Sequence, residues 1–428
     1  MGNVSSLHTL HIIDSLSPAT GGPPEAVRQL AKAYLEVGAG IEVVCLDNPG
    51  EPFLTDIPCP VHALGGSYLG RYRFSPRIWR WLRENSGRFD GMVMHGIWSF
   101  PGVALRFAAR RAGRPYGIFV HGALDPWFYR KYPLKHLKKS LYWPVQYAVL
   151  RDAMAVFFTA ESERDLAKSS FRPNTWNSVV VGLGINDPEE TQTDPAGQIE
   201  TFYRRFPELR GRRYLLFLAR IHAKKGCDLL LEAFGRIAAS VPDVDLVIAG
   251  PDQVGMQVNL QRMAEEAGVA SRVHWPGSID GNLKWGALRA CDAFVLSSHS
   301  ENFGIAVVES LAVGRPVLIS NQVNIWPEIE RDKAGLVDDD TLEGTERLLR
   351  RWFDLAPGER DAMATRTRLC FQTHFTMNRT ALAIDQLFSS VASPLGKSDG
   401  ADPVSNDTDV SDYPPKHGVE ELSESRRA

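Results

Sequence analysis

The chain is predicted to be an α/β protein made of two doubly wound, Rossmann-like domains in tandem. Short apolar runs rich in Val, Ile and Phe recur along it, and segments of helical period separate them. Strands alternating with helices indicate a parallel sheet covered on both faces. The alternation lapses near residue 186 and restarts near residue 214, so two sheets are expected rather than one. A chain of 428 residues is long enough to give each domain its own core.

In the first half, strands are expected at Leu10–Ile13, Ile41–Cys45, Gly91–Met94, Tyr116–Val120, Val156–Thr159 and Val179–Val181. Helical periodicity marks Glu25–Val37 and Pro101–Ala112 between them. The stretch from Asn186 to Gly211 is rich in Asp, Pro, Glu and Thr and then turns basic, which reads as the connection between domains. Strands resume at Tyr214–Ala219, Asp245–Ala249, Arg272–Trp275, Ala293–Leu296 and Pro316–Ile319, with a helix over Cys227–Ile237. A last helix is expected near Phe375–Leu387. Beyond residue 392, Ser, Asp, Pro and Glu dominate, and so little apolar surface cannot offset the ordering entropy, so disorder is expected. The expected division is 1–185 first domain, 186–210 linker, 211–374 second domain, 375–392 C-terminal helix and 393–428 tail.

Hydrophobic content of 44% and charge of 23% are those of a soluble globular protein. A net charge of −3 gives no electrostatic case for nucleic acid. The five cysteines are scattered and form no CxxC pair, which argues for a reducing compartment and against a disulfide or zinc framework. No secretory signal and no membrane-spanning run is evident, so a cytoplasmic location is expected, at most peripheral on a membrane face.

The most informative stretch is Ser298 to Glu309. A buried strand precedes it, a Gly opens an apolar-periodic segment running through Leu311, and Gly314-Arg315-Pro316 stops that segment. Strand, polar loop and helix N-terminus form an anion site at the carboxyl edge of a sheet, and Glu301 and Glu309 can accept hydroxyl hydrogen bonds. A ligand with both phosphates and hydroxyls fits, and a nucleotide sugar is the obvious one. Arg220 and Lys225 follow the first strand of the second domain, where Arg offers a fork for phosphate oxygens and Lys a mobile point charge. Glu309 interrupts an apolar helix, so its carboxylate needs a partner. No DxD flanked by strand and loop is present, and no metal site is expected.

Together these residues resemble the retaining glycosyltransferases of family 4, which have the GT-B fold: two Rossmann-like domains facing a central cleft. The resemblance rests on Arg220-x4-Lys225-Gly226, Leu246 to Pro251, and Glu301-x7-Glu309 enclosing Asn302-Phe303-Gly304. It continues into the first domain with Gly21-Gly22 and Phe119-Val120-His121-Gly122, covering roughly residues 8 to 390. The resemblance implies that Glu309 binds ribose hydroxyls and that Glu301 holds the donor sugar beside Asn302 and the amides of Phe303 and Gly304. It implies that Arg220 and Lys225 neutralise the diphosphate, that His121 contacts the donor sugar from the opposite domain, and that Gly21 and Gly22 let backbone approach the phosphates. Sugar transfer from a nucleotide-diphosphate sugar to a glycan or lipid-linked acceptor, with retained configuration and without a metal, is the implied reaction. The implied setting is exopolysaccharide, lipopolysaccharide or glycolipid biosynthesis, and the last helix should pack back toward the first domain. A nucleotide-sugar epimerase of the same fold, or a non-catalytic nucleotide-sugar binder, are the alternatives.

One departure from the family pattern is Gly182-Leu183-Gly184-Ile185-Asn186, where relatives often carry Pro-Asn-Gly-Val-Asp. Asp125 is a candidate acceptor-side residue. Two basic-aromatic stretches, residues 72–83 and 127–151, suit an anionic membrane surface or a lipid-diphosphate acceptor.

Overall fold

The computed structural model describes residues 7–126, 133–191 and 194–392. The expected tail and the first part of the 127–151 stretch lie outside the described residues. Seven strands form the first sheet: β1 His8–Ile13, β2 Gly40–Cys45, β3 Val61–Ala63, β4 Gly91–His95, β5 Tyr116–Phe119, β6 Ala155–Phe158 and β7 Ser178–Val180. Their order is β3-β2-β1-β4-β5-β6-β7 and every pairing is parallel. Six strands form the second: β8 Arg213–Leu218, β9 Val244–Ala249, β10 Val273–Gly277, β11 Ala293–Leu296, β12 Val317–Ser320 and β13 Gly335–Asp338. Their order is β10-β9-β8-β11-β12-β13, again all parallel. In both sheets the order reverses between the first strand and the fourth, and ligands of such sheets bind at that switch point, outside the carboxyl ends.

Side-chain alternation divides the first core in two. Leu10, Ile12, Met94 and Ile118 pack with Ile78, Leu82 and Leu105 from the helices Pro76–Asn85 and Phe100–Ala112. Val43, Val93, Phe119 and Phe157 face the other way, toward Val27, Leu30 and Tyr34 of the helix Gly22–Glu36. The final helix, Met377–Ala392, lies against that same helix and seats Phe388 over Gly91. A Cβ on Gly91 would come within 2.6 Å of the Phe388 ring, so only glycine admits this contact.

Two features depart from the sequence reading. Edge strands β3 and β13 were not anticipated, because three and four residues of mixed polarity carry no apolar-run signature. The connection over 186–210 is largely helical, with a helix at Pro195–Arg205. Asp194-Pro195 looks like a turn but acts as an N-cap followed by a first-turn proline, with the Gly197 amide donating to Asp194 Oδ1 at 2.8 Å. This helix buries Gln198 and Phe202 against the helix Gly281–Ala290. Gly286 makes the close approach possible, since a Cβ there would sit 2.2 Å from the Gln198 carbonyl oxygen.

Candidate functional site

A cavity of about 400 Å³ lies between the carboxyl edges of the two sheets. The first sheet contributes Gly21 and Gly22 after β1, and His121, Gly122 and Asp125 after β5. The second contributes Arg220, Lys224 and Lys225 after β8, and Glu301 to Ala306 after β11. Of the residues singled out from sequence, Gly21, Gly22, His121, Arg220, Lys225, Glu301, Asn302, Phe303 and Gly304 therefore line one space. Glu309 does not line it and lies farther along the helix Ile305–Ala312.

The cationic wall comes from a single turn. His222 accepts the Lys224 amide at 3.0 Å through Nδ1, and Gly226 closes the turn at φ 65°. A side chain on Gly226 would strike the Ser297 carbonyl oxygen at 1.9 Å, so the glycine brings this loop against the end of β11. Lys225 forms an ion pair with Glu301. Burial, with Lys224 and Arg220 close by, pushes its amine down to about 7, while the Glu301 contact favours the proton. Burial also lowers Lys224, which the Asp125 carboxylate partly offsets. Lys224 is a second cleft cation beside Lys225, and the Lys-Lys pair carries no sequence signal that tells which of the two faces the cavity.

On the facing wall, Gly304 at φ 74° opens the helix Ile305–Ala312, whose first amides lie at the cavity. Glu309 sits inside this helix, 7% exposed, and receives Lys284 Nζ at 2.5 Å. Lys284 is the partner that a carboxylate in an apolar helix requires, and it comes from a different helix 25 residues away. The Asn302 amide is engaged within the protein, donating to Thr159 Oγ1 at 3.2 Å and accepting from Asn324 at 3.3 Å.

The His121 turn is held from below by Glu163. This buried carboxylate accepts the Gly122 amide at 2.6 Å and the Thr159 amide and hydroxyl at 2.7 Å each. Burial raises its carboxyl, and those hydrogen bonds work against the rise. His121 and Gly122 both have positive φ, 47° and 71°. Nothing in the local sequence marks Glu163, which follows β6 and meets the turn only through the fold.

Asp125 accepts a hydrogen bond from Ser300 Oγ at 2.6 Å and so spans the two sheets. Asp14, at the end of β1, accepts from Ser99 Oγ at 2.9 Å. Burial raises its carboxyl to about 6, against the pull of Ser99 and Arg73. No cluster of three metal-ligating side chains occurs among the described residues.

Comparison with known proteins gives two consecutive family matches. Residues 21–184 match a glycosyl transferase 4-like domain, and residues 199–368 match glycosyl transferases group 1. The chain is 33% identical over 147 residues to a D-inositol 3-phosphate glycosyltransferase of Paenarthrobacter aurescens, covering 32% of this chain and 36% of that protein. It is 26% identical over 315 residues to a phosphatidyl-myo-inositol mannosyltransferase of Mycobacterium leprae, covering 70% and 75%. The first two curated relatives are thus matched over only 36% and 24% of their lengths. Among solved structures, Anabaena HepE in complex with UDP and glucose superposes with a TM-score of 0.70 at 16% identity, over 90% of this chain and all of that one. The fold is thereby the two-domain GT-B arrangement.

Proposed function

The chain belongs to the group 1 glycosyltransferases, and from that premise we propose that it transfers a sugar from a nucleotide-diphosphate sugar to a hydroxyl of a glycan or lipid-linked acceptor, with retained anomeric configuration. The observation that carries this reading is the convergence on one cavity of three cations and a helix N-terminus from the second sheet with His121 and Gly21-Gly22 from the first. A diphosphate placed against Arg220, Lys224 and Lys225 gains negative charge as the sugar–phosphate bond breaks. Preorganised cations therefore stabilise the transition state more than the ground state. In this reading Glu301, joined to Lys225, takes sugar hydroxyls, and the leaving phosphate assists deprotonation of the acceptor on the same face. Closure between the sheets would exclude water and limit donor hydrolysis. No divalent ion enters this scheme, because the cations neutralise the diphosphate. The sugar-binding relatives support the donor class: one solved neighbour holds UDP and glucose, and one curated relative is named for mannosyl transfer to a phosphatidyl-inositol.

The acceptor side points to a lipid surface. The helix Pro133–Arg151 leaves Leu134, Leu137 and Leu141 exposed at 78%, 61% and 79%, with Val145 continuing the stripe. A helix burying its core face does not need such a second apolar stripe. Arg77, Arg80 and Arg83 with Trp79 lie exposed on the helix Pro76–Asn85. Apolar side chains flanked by cations suit the boundary of an anionic bilayer, and among the described residues no helix is long and apolar enough to cross a membrane.

A transfer assay with candidate nucleotide sugars and lipid-linked acceptors tests the reaction. Product formation lost in Glu301→Ala with nucleotide binding retained supports it; donor binding without turnover in the native chain refutes it. Sedimentation with phosphatidylglycerol vesicles, compared with phosphatidylcholine vesicles, tests the surface. Leu137→Glu with Leu141→Glu is expected to abolish binding to the anionic vesicles, and unchanged binding would remove the membrane reading.

A further inference from the structure

Three histidines run in single file through the first domain to the cavity. His11 on β1, His95 at the end of β4 and His121 after β5 lie on one face of three neighbouring strands, with Phe119 stacked among them. His11 Nδ1 meets His95 Nε2 at 2.9 Å, and His95 Nδ1 meets His121 Nε2 at 3.1 Å. His11 and His95 are buried, and the far end of the file, His11 Nε2, has no hydrogen-bond partner among the described residues. The near end, His121 Nδ1, is the one ring nitrogen of the file left for the cavity that His121 lines.

Burial holds all three rings neutral at physiological pH: His11 is lowered to about 3, His121 to about 4, and His95 well below its ordinary value, with both neighbouring rings adding to the effect there. A neutral imidazole carries one N–H and one bare nitrogen. Both contacts can then be hydrogen bonds in only two ways: every ring carries its proton on Nδ1, or every ring carries it on Nε2. Any mixture sets two lone pairs or two N–H groups against each other at about 3 Å. The two uniform states differ at the ends. With protons on Nδ1, the unpartnered atom of His11 is a bare acceptor; with protons on Nε2, it is a buried N–H without a partner, the rarer and costlier situation.

We infer that His95 and His11 are positioning residues that fix the tautomer of His121, so that His121 presents Nδ1–H to the cavity as a hydrogen-bond donor for an oxygen of the donor sugar. This rests on the transferase reading for the identity of the ligand, but the tautomer itself does not. A donor fixed in this way recognises a sugar oxygen without having to choose between roles at each turnover, since the choice is made by a ring two strands away. Tautomer control through the second ring nitrogen is the ordinary way a histidine's role is set; here the control extends through two further rings.

The test is long-range 1H–15N correlation of the imidazoles in the full chain, labelled with 15N-histidine, at pH 7.5 without ligand. The native protein is expected to show all three rings protonated on Nδ1. In His95→Phe, which keeps a ring in the stack but has no nitrogen, His121 is expected to lose its single tautomer. The donor-sugar kcat/KM should then fall about tenfold, as expected for one misdirected hydrogen bond, while affinity for the nucleoside diphosphate alone is unchanged. His95→Gln, whose amide offers one donor and one acceptor, should restore both the His121 tautomer and kcat/KM. A native spectrum with His121 protonated on Nε2 or mixed, or a His121 signal unaltered in His95→Phe, would overturn the inference. Because the native spectrum is read without substrate, failure to find sugar transfer would remove the transferase reading and leave this result standing.

Discussion

At the scale of single residues, Glu309 illustrates what a sequence can and cannot disclose. A carboxylate among Ile305, Ala306, Val307, Val308 and Leu311 signals a hidden partner, and that much was legible. The partner, Lys284, was not, because it stands on another helix and only the winding of the chain brings it to 2.5 Å. Lys284→Met is expected to lower stability by roughly 1–3 kcal/mol by leaving the buried carboxylate unpaired. Adding Glu309→Gln should recover most of the loss, which a denaturation series on the two single variants and the double variant would measure. Lys225 gives a pH dependence. Its amine, pushed down to about 7, is charged below that pH and neutral above it. Because the Glu301 contact favours the charged amine, the donor kcat/KM, which reports the free enzyme, should decline as pH rises above about 7, and Lys225→Arg should move the decline to higher pH. Asp14 works through stability instead. Its folded carboxyl at about 6 lies above the ordinary 3.8, so the folded state holds the proton more tightly. Stability from this group falls as pH rises from about 4 to 6, and the penalty persists above that window. Asp14→Asn should be more stable than the native chain at pH 7, by an amount on the order of 2 kcal/mol, and lose that advantage at pH 4.

At the scale of elements, buried parallel strands announce themselves because both faces need apolar side chains. Accordingly β1, β2, β4, β5, β6 and β8 fall where the apolar runs are. The short edge strands and the helix Pro195–Arg205 escaped, the latter because Asp-Pro has the same composition whether it starts a turn or caps a helix. The turn at His121-Gly122 was legible as a histidine after a strand, but its support was not. Glu163, the residue that holds it, is 41 positions from Gly122. This turn is tight on every side. A Cβ on Gly122 would sit 3.0 Å from Asn302 Cβ, at a φ of 71° that L side chains rarely adopt. Gly122→Ala should thus cost about 1 kcal/mol or more in stability and disturb the contact with Asn302. The measurement is a melting curve together with donor KM; an unchanged KM would mean the turn does not shape the cavity.

At the scale of the molecule, the two sheets are joined by a polar seam around the cavity. Asp125 meets Ser300, Asn302 meets Thr159, and Asn186 meets Gln29 with its backbone amide at 2.8 Å. Arg368 reaches Asp187 at 2.8 Å, and Ile185 exchanges backbone hydrogen bonds with Phe375 and Met377. Arg220, Lys225 and the Glu301 loop on one side and Gly21-Gly22 and His121 on the other, all singled out by sequence motifs, line one cavity. The seam was not disclosed, because its partners are ordinary polar residues far apart in the chain. The central claim is that this cavity binds a nucleotide-diphosphate sugar through its cations, and thermal unfolding in the presence of UDP-, GDP- and ADP-sugars tests it most directly. A ligand that binds only the folded state at 100 times its Kd stabilises by about 2.7 kcal/mol. The expected result is a clear rise in Tm with at least one nucleotide sugar, lost in the Arg220→Ala, Lys225→Ala double variant. No rise with any of the three classes, or a rise undiminished in the double variant, would contradict it.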